Sequence, residues 1–88
     1  MIEKKFLQNL GAIIKRRRSS KEITADEAAR CLGLTITTQF RRESGVASMP
    51  VEDLVRYAIV FGCKPSDLIR ETDEALQSPG SLVAKSKK

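Results

Sequence analysis

Apolar residues fall at Ile2, Phe6, Leu7, Leu10, Ile13 and Ile14, the three-and-four spacing that gathers side chains on one face of an α-helix. The pattern predicts a first helix over about residues 3–18. Gly11 costs such a helix about 1 kcal/mol relative to Ala, so its place inside the stripe predicts a close contact with another helix. A second helix is written at Ile23-Thr24-Ala25-Asp26-Glu27-Ala28. Thr24 can cap it, Glu27 can reach back to the Thr24 amide, and Ile23 can staple onto Ala28. Gly33 supplies a left-handed stop, so this helix spans about residues 24–32. Thr35 or Thr37 then caps a third helix almost at once, over about residues 36–44, which ends at Gly45.

The fourth helix is expected to start at Ser48-Met49-Pro50, with Pro in its first turn, and to pack through Val51, Leu54, Val55, Ala58 and Phe61 before Gly62 closes it. Ile59 and Val60, beside that face, suit either core width or a homodimer contact. Lys64-Pro65-Ser66-Asp67-Leu68-Ile69 opens a short fifth helix that returns Leu68 and Ile69 to the core. The pattern as a whole predicts an all-α, compact five-helix bundle over residues 1–76. At residues 77–88, Pro79-Gly80 and a Lys/Ser-rich end without a sustained apolar face predict a flexible basic tail.

Composition narrows the function classes. The chain has 88 residues, 41% hydrophobic and 31% charged, which suits one small domain and leaves no room for a deep substrate cavity with its supporting shell. It contains no His, so serine-triad, Cys-His and His-metal chemistry are all missing. A non-enzymatic role without cofactor or metal is expected. No apolar run approaches the roughly 20 residues that span a bilayer, and the start carries no secretory signal, so the expected place is the cytoplasm. Cys31 and Cys63 form no metal-binding pair and read as small buried apolar residues.

The net charge of +5 hides an asymmetry. Residues 1–49 hold ten Lys or Arg against five acids, whereas residues 50–74 hold three against six. A polyanion would be drawn to the first half. The run from Lys15 to Arg18 suits either that role or simple solvation of a helix end, where cations favour the carbonyl terminus of the dipole.

Over positions 6 to about 70, the chain resembles the Cro and phage-repressor (Xre-type) helix-turn-helix family. Ala29, Leu32, Gly33 and Leu34 match its packing alanine, leucine, turn glycine and following apolar residue, and Glu43-Ser44-Gly45 is similar to the Glu-x-Gly that closes its recognition helix. Residues Met49 to Ile69 follow its apolar-periodic helix, glycine and short capped helix. The departures lie in the third helix. The family buries apolar residues where this chain has Gln39 and Arg42, and exposes the positions of Ile36 and Phe40. Either that helix is rotated to bury Ile36 and Phe40, or the pair is exposed for a protein partner or for thymine methyls. A frequent Gln at the start of the second helix is Ala25 here.

The resemblance implies a DNA-binding transcriptional regulator that inserts its third helix into the major groove, as a homodimer on half-sites one helical turn apart. It implies that Thr35, Thr37 and Thr38 face base edges or phosphates, that Arg41 reaches a guanine, and that Ser44 touches the backbone, with Arg42 a further candidate. Arg16, Arg17, Arg18 and Lys21 would add phosphate contacts that carry no sequence information. The alternative expectation keeps the fold but assigns it a protein partner, bound through Ile36 and Phe40.

Overall fold

Five helices and their turns make up all the regular structure of the described residues, 2–77, in this computed structural model. α1 runs Ile2–Ser20, α2 Ala25–Leu32, α3 Ile36–Ser44, α4 Val51–Phe61 and α5 Pro65–Gln77. The fold class is the all-α five-helix bundle that the periodicity predicts. Residues 78–88, most of the expected tail, lie outside the described residues, and Gln77 is the last residue of α5.

Local chemistry accounts for the boundaries. Thr24 accepts the Glu27 amide at 3.1 Å while the Glu27 carboxylate accepts the Thr24 amide at 2.8 Å, so two otherwise unpaired donors at the start of α2 are satisfied together. The Thr24 amide first, and the neighbouring Thr24 hydroxyl second, hold the Glu27 carboxyl below its usual range. Gly33 stops α2 at φ 72°, a left-handed conformation that an L side chain rarely adopts.

One apolar cluster joins the helices. Leu10, Ile13 and Ile14 of α1 meet Leu32, Leu54, Tyr57, Ala58, Phe61 and Leu68, with Phe6, Ile23 and Leu34 packed around them. Tyr57 and Phe61 stack with ring centroids 5.8 Å apart and planes at 18°. α1 packs most extensively on α5 and α3. The α1–α3 approach explains Gly11: a Cβ there would overlap the backbone carbonyls of Arg42 and Glu43, so no other residue lets these two backbones touch.

Four expectations need correction. Pro50 stands at the N-cap of α4, outside the helix, with φ −59° and ψ 145° and no side-chain bond to cap it. The inner face of α4 is Asp53, Leu54, Tyr57, Ala58 and Phe61, so Val51 and Val55 point outward. The helix is turned this way because its large aromatic rings and the carboxylate of Asp53 all find partners inside. α5 is 13 residues long, not a short stub. Its inner stripe continues through Thr72, whose hydroxyl satisfies itself on the Leu68 carbonyl at 2.8 Å, whereas Ile69 is exposed. Finally, both cysteines are free thiols: Cys31 is exposed, because Ala25, Ala28, Ala29 and Leu32 take the inner positions of α2, and Cys63 is half-buried at the edge of the core.

Candidate nucleic-acid interface

The turn between α2 and α3 is Gly33-Leu34-Thr35, and Thr35 caps α3 by accepting the Thr38 amide at 3.2 Å. α3 then presents two unlike faces. Its inner face is Gln39, Arg42 and Glu43, all buried. Its outer face carries Ile36, Thr37, Phe40, Arg41 and Ser44, all exposed, and Ile36 and Phe40 keep 42% and 50% of their surface in contact with solvent. The helix is therefore not rotated to bury its apolar pair.

Polar residues can occupy the inner positions because each meets a counterpart from another helix. The Tyr57 hydroxyl donates to Gln39 Oε1 at 2.7 Å, and Gln39 Nε2 donates to Glu43 Oε2 at 2.8 Å. Arg18 grips the same carboxylate with two bonds, Nε at 2.7 Å and Nη2 at 3.1 Å, and its Nη1 donates to the Ile23 carbonyl at 2.9 Å. Arg42 Nη1 lies 2.8 Å from Asp53 Oδ2, and Arg56 donates to the other oxygen of Asp53, also at 2.8 Å. Burial alone would raise the Asp53 carboxyl, but the Arg42 and Arg56 guanidiniums outweigh it and hold the group below its usual value. Burial pushes the Tyr57 phenol up.

The anticipated contact residues accordingly divide into groups. Thr35, Thr37, Arg41 and Ser44 lie on or beside the exposed face of α3, while Thr38 is half-buried on its flank. Arg42 turns inward to Asp53 and cannot reach a ligand on that face, a correction that follows from its place one turn after Gln39 on the buried stripe. The Arg18 side chain is only 12% exposed and is committed to Glu43, which corrects its assignment as a phosphate contact. Arg16 and Arg17 both bind the Glu71 carboxylate of α5, a partner with no signal in the sequence because it lies more than fifty positions away. The bond from Glu71 raises the Arg17 guanidinium above its ordinary value. Lys21 is exposed in the turn after α1.

A simple contrast results. Of the eight arginines in the chain, seven are ion-paired with a carboxylate. Arg41, on the outer face of α3, is the exception among the described residues. No group of three or more His, Cys, Asp or Glu side chains that could hold a metal occurs among them, and none of their helices is long and apolar enough to cross a membrane.

No protein-family model matches the chain, and neither does any curated protein. The fold is similar to two crystal structures of the clp gene regulator ClgR from Corynebacterium glutamicum. One aligns with a TM-score of 0.77 and 21% identity over 81% of this chain and 76% of that one. The other aligns with a TM-score of 0.73 and 22% identity over 78% of this chain and 88% of that one. The shared feature is the arrangement of the helices.

Proposed function

We propose that the chain is a non-enzymatic, DNA-binding transcriptional regulator of the helix-turn-helix kind that the Cro and phage-repressor resemblance implies, acting as a homodimer. The observation that carries this reading is the outer face of α3: Thr37, Arg41 and Ser44 exposed together on a short, rigidly seated helix, with Arg41 free of any carboxylate among the described residues. A major groove about 12 Å wide admits such a helix. There Arg41 can bond a guanine edge, while Thr35, Thr37 and Ser44 reach bases or phosphates. Ile36 and Phe40 offer apolar surface to thymine methyls, and Lys21 and the exposed side of Arg16 serve the phosphates. The likeness to a protein described as a gene regulator supports the same reading.

Fluorescence anisotropy on duplexes selected from a random pool tests it. Log K should fall linearly with log salt by about 0.9 per neutralised phosphate. Arg41→Ala should weaken the selected site by about 1–3 kcal/mol, with the helical circular dichroism unchanged. Failure of the intact chain to bind any duplex at low salt would reject the proposal.

The exposure of Ile36 and Phe40 favours a second reading, in which α3 docks on another protein. Phe40→Asp would then abolish a purified partner's binding and leave DNA affinity as it was.

A further inference from the structure

The outward side of α4 carries an apolar row that neither the core nor the α3 face uses. Val51, Val55 and Ile59 stand four residues apart, on one line along the helix, and are 74%, 42% and 74% exposed. β-branched apolar residues repeated at this spacing on a solvent-facing helix leave a ridge that water does not favour. One flank of the ridge borders the core through Leu54 and Ala58; the other carries Glu52 and Arg56, one turn apart.

We infer that a second copy of this chain covers the ridge, with the two α4 helices packed antiparallel about a two-fold axis at Val55. This rests on the homodimer of the proposed function and gives it a surface on α4. The row is self-complementary under that symmetry: Val55 meets its own copy, and Val51 meets Ile59 of the partner subunit at both ends, as an isologous contact requires. The charged flank obeys the same operation. With a rise of about 1.5 Å per residue, Glu52 lies about 4.5 Å along the axis from Val55 and the partner's Arg56 about 1.5 Å in the same direction, on the same side of the pair. Opposite charges thus lie about 3 Å apart along the axis twice, the two Glu52 carboxylates flanking the two Arg56 side chains that meet at the two-fold. Arg56 can be shared in this way because Asp53, to which it donates within its own chain, retains Arg42. α4 has 11 residues, hence a length of about 16 Å, and one such ridge covers less than the roughly 800 Å² per partner of a standard interface. The dimer is therefore expected to dissociate in the micromolar range, and a duplex with two half-sites would strengthen it.

Sedimentation equilibrium of the intact chain over low to high micromolar concentration tests the inference. The expected result is a reversible dimer that Val55→Glu converts to monomer with its helical circular dichroism unchanged, since the residue replaced is exposed. Glu52→Arg should weaken the dimer at least tenfold, and adding Arg56→Glu should restore it. A wild-type chain that stays monomeric throughout overturns the inference. So does a dimer indifferent to Val55→Glu but abolished by Phe40→Glu, which would place the contact on α3. Anisotropy on the same variants separates this result from the functional one: a dimer that binds no DNA keeps the interface and rejects the DNA-binding role, and a DNA-binding monomer does the reverse.

Discussion

The interior has two regions held by different chemistry. Where α1, α4 and α5 meet, Leu10, Ile13, Ile14, Leu54, Phe61 and Leu68 are buried side chains without polar atoms. Where α3 meets α1 and α4, the half-buried Arg18 meets the buried Gln39, Arg42, Glu43 and Asp53, with Tyr57 joining both regions through its ring and its hydroxyl. The apolar region can lose a contact and relax. The polar region cannot, because a charge left without its counterpart inside a protein is costly. α3, the helix that displays the candidate interface, is thus positioned by the hydrogen bonds of Gln39 and Glu43 and by the Arg42–Asp53 ion pair, and substitutions distinguish the two regions.

The largest effect is expected at Asp53, which holds two arginines. Asp53→Ala leaves Arg42 buried without a counter-charge and should cost about 3–5 kcal/mol, read as a fall in urea midpoint at neutral pH. Acid sharpens the contrast. The Asp53 carboxyl titrates lower in the fold than in the unfolded chain, where its value is about 3.9. Its contribution to stability is present above that unfolded value and lost as pH falls through the folded one. Between about pH 6 and pH 3 the wild type should therefore lose more stability than Asp53→Ala. Equal losses would show that the pair does not stabilise the fold.

Arg18→Met comes next. It strips Glu43 of two bonds but leaves the one from Gln39, so its cost should sit near about 3 kcal/mol, the lower end for a broken buried pair. Because Glu43 seats α3 against α1, hydrogen exchange in α3 should accelerate more than exchange in α5. A uniform acceleration would mean that the polar region is not a separate structural unit.

The sequence made most of the apolar region legible, though it placed the exposed Val51, Val55 and Ile69 inside it, and left the polar one dark. Periodicity located α1, a capping box located α2, and Gly11 signalled the close α1–α3 approach, all of them local features. The inner face of α3 did not announce itself, since Gln39, Arg42 and Glu43 look solvent-facing until their partners are known, and those partners lie 18, 11 and 25 positions away at Tyr57, Asp53 and Arg18. The same blindness affected the arginine run. Residues 16–18 read as an open cationic patch because the carboxylates that hold them come from α3 and α5. Arg41 keeps its place because no carboxylate among the described residues pairs with it.

The smallest effect, and the finest probe, concerns the hydroxyl of Tyr57. Tyr57→Phe keeps the ring stacked on Phe61 and removes only the donor to Gln39 Oε1, leaving that buried oxygen unpaired at a cost of about 1–3 kcal/mol. Gln39→Leu alone strands the phenol and removes one donor from Glu43, so it too should destabilise. The double variant differs from both. It places apolar groups of similar volume on the two sides of the former bond, and replacing both partners of a buried hydrogen bond can be nearly neutral. The urea midpoint of the double variant should therefore lie above that of the less stable single, with a coupling energy of about 0.5–3 kcal/mol. Additive losses would mean that Gln39 matters chiefly through Glu43, and that the polar region is a chain of independent pairs.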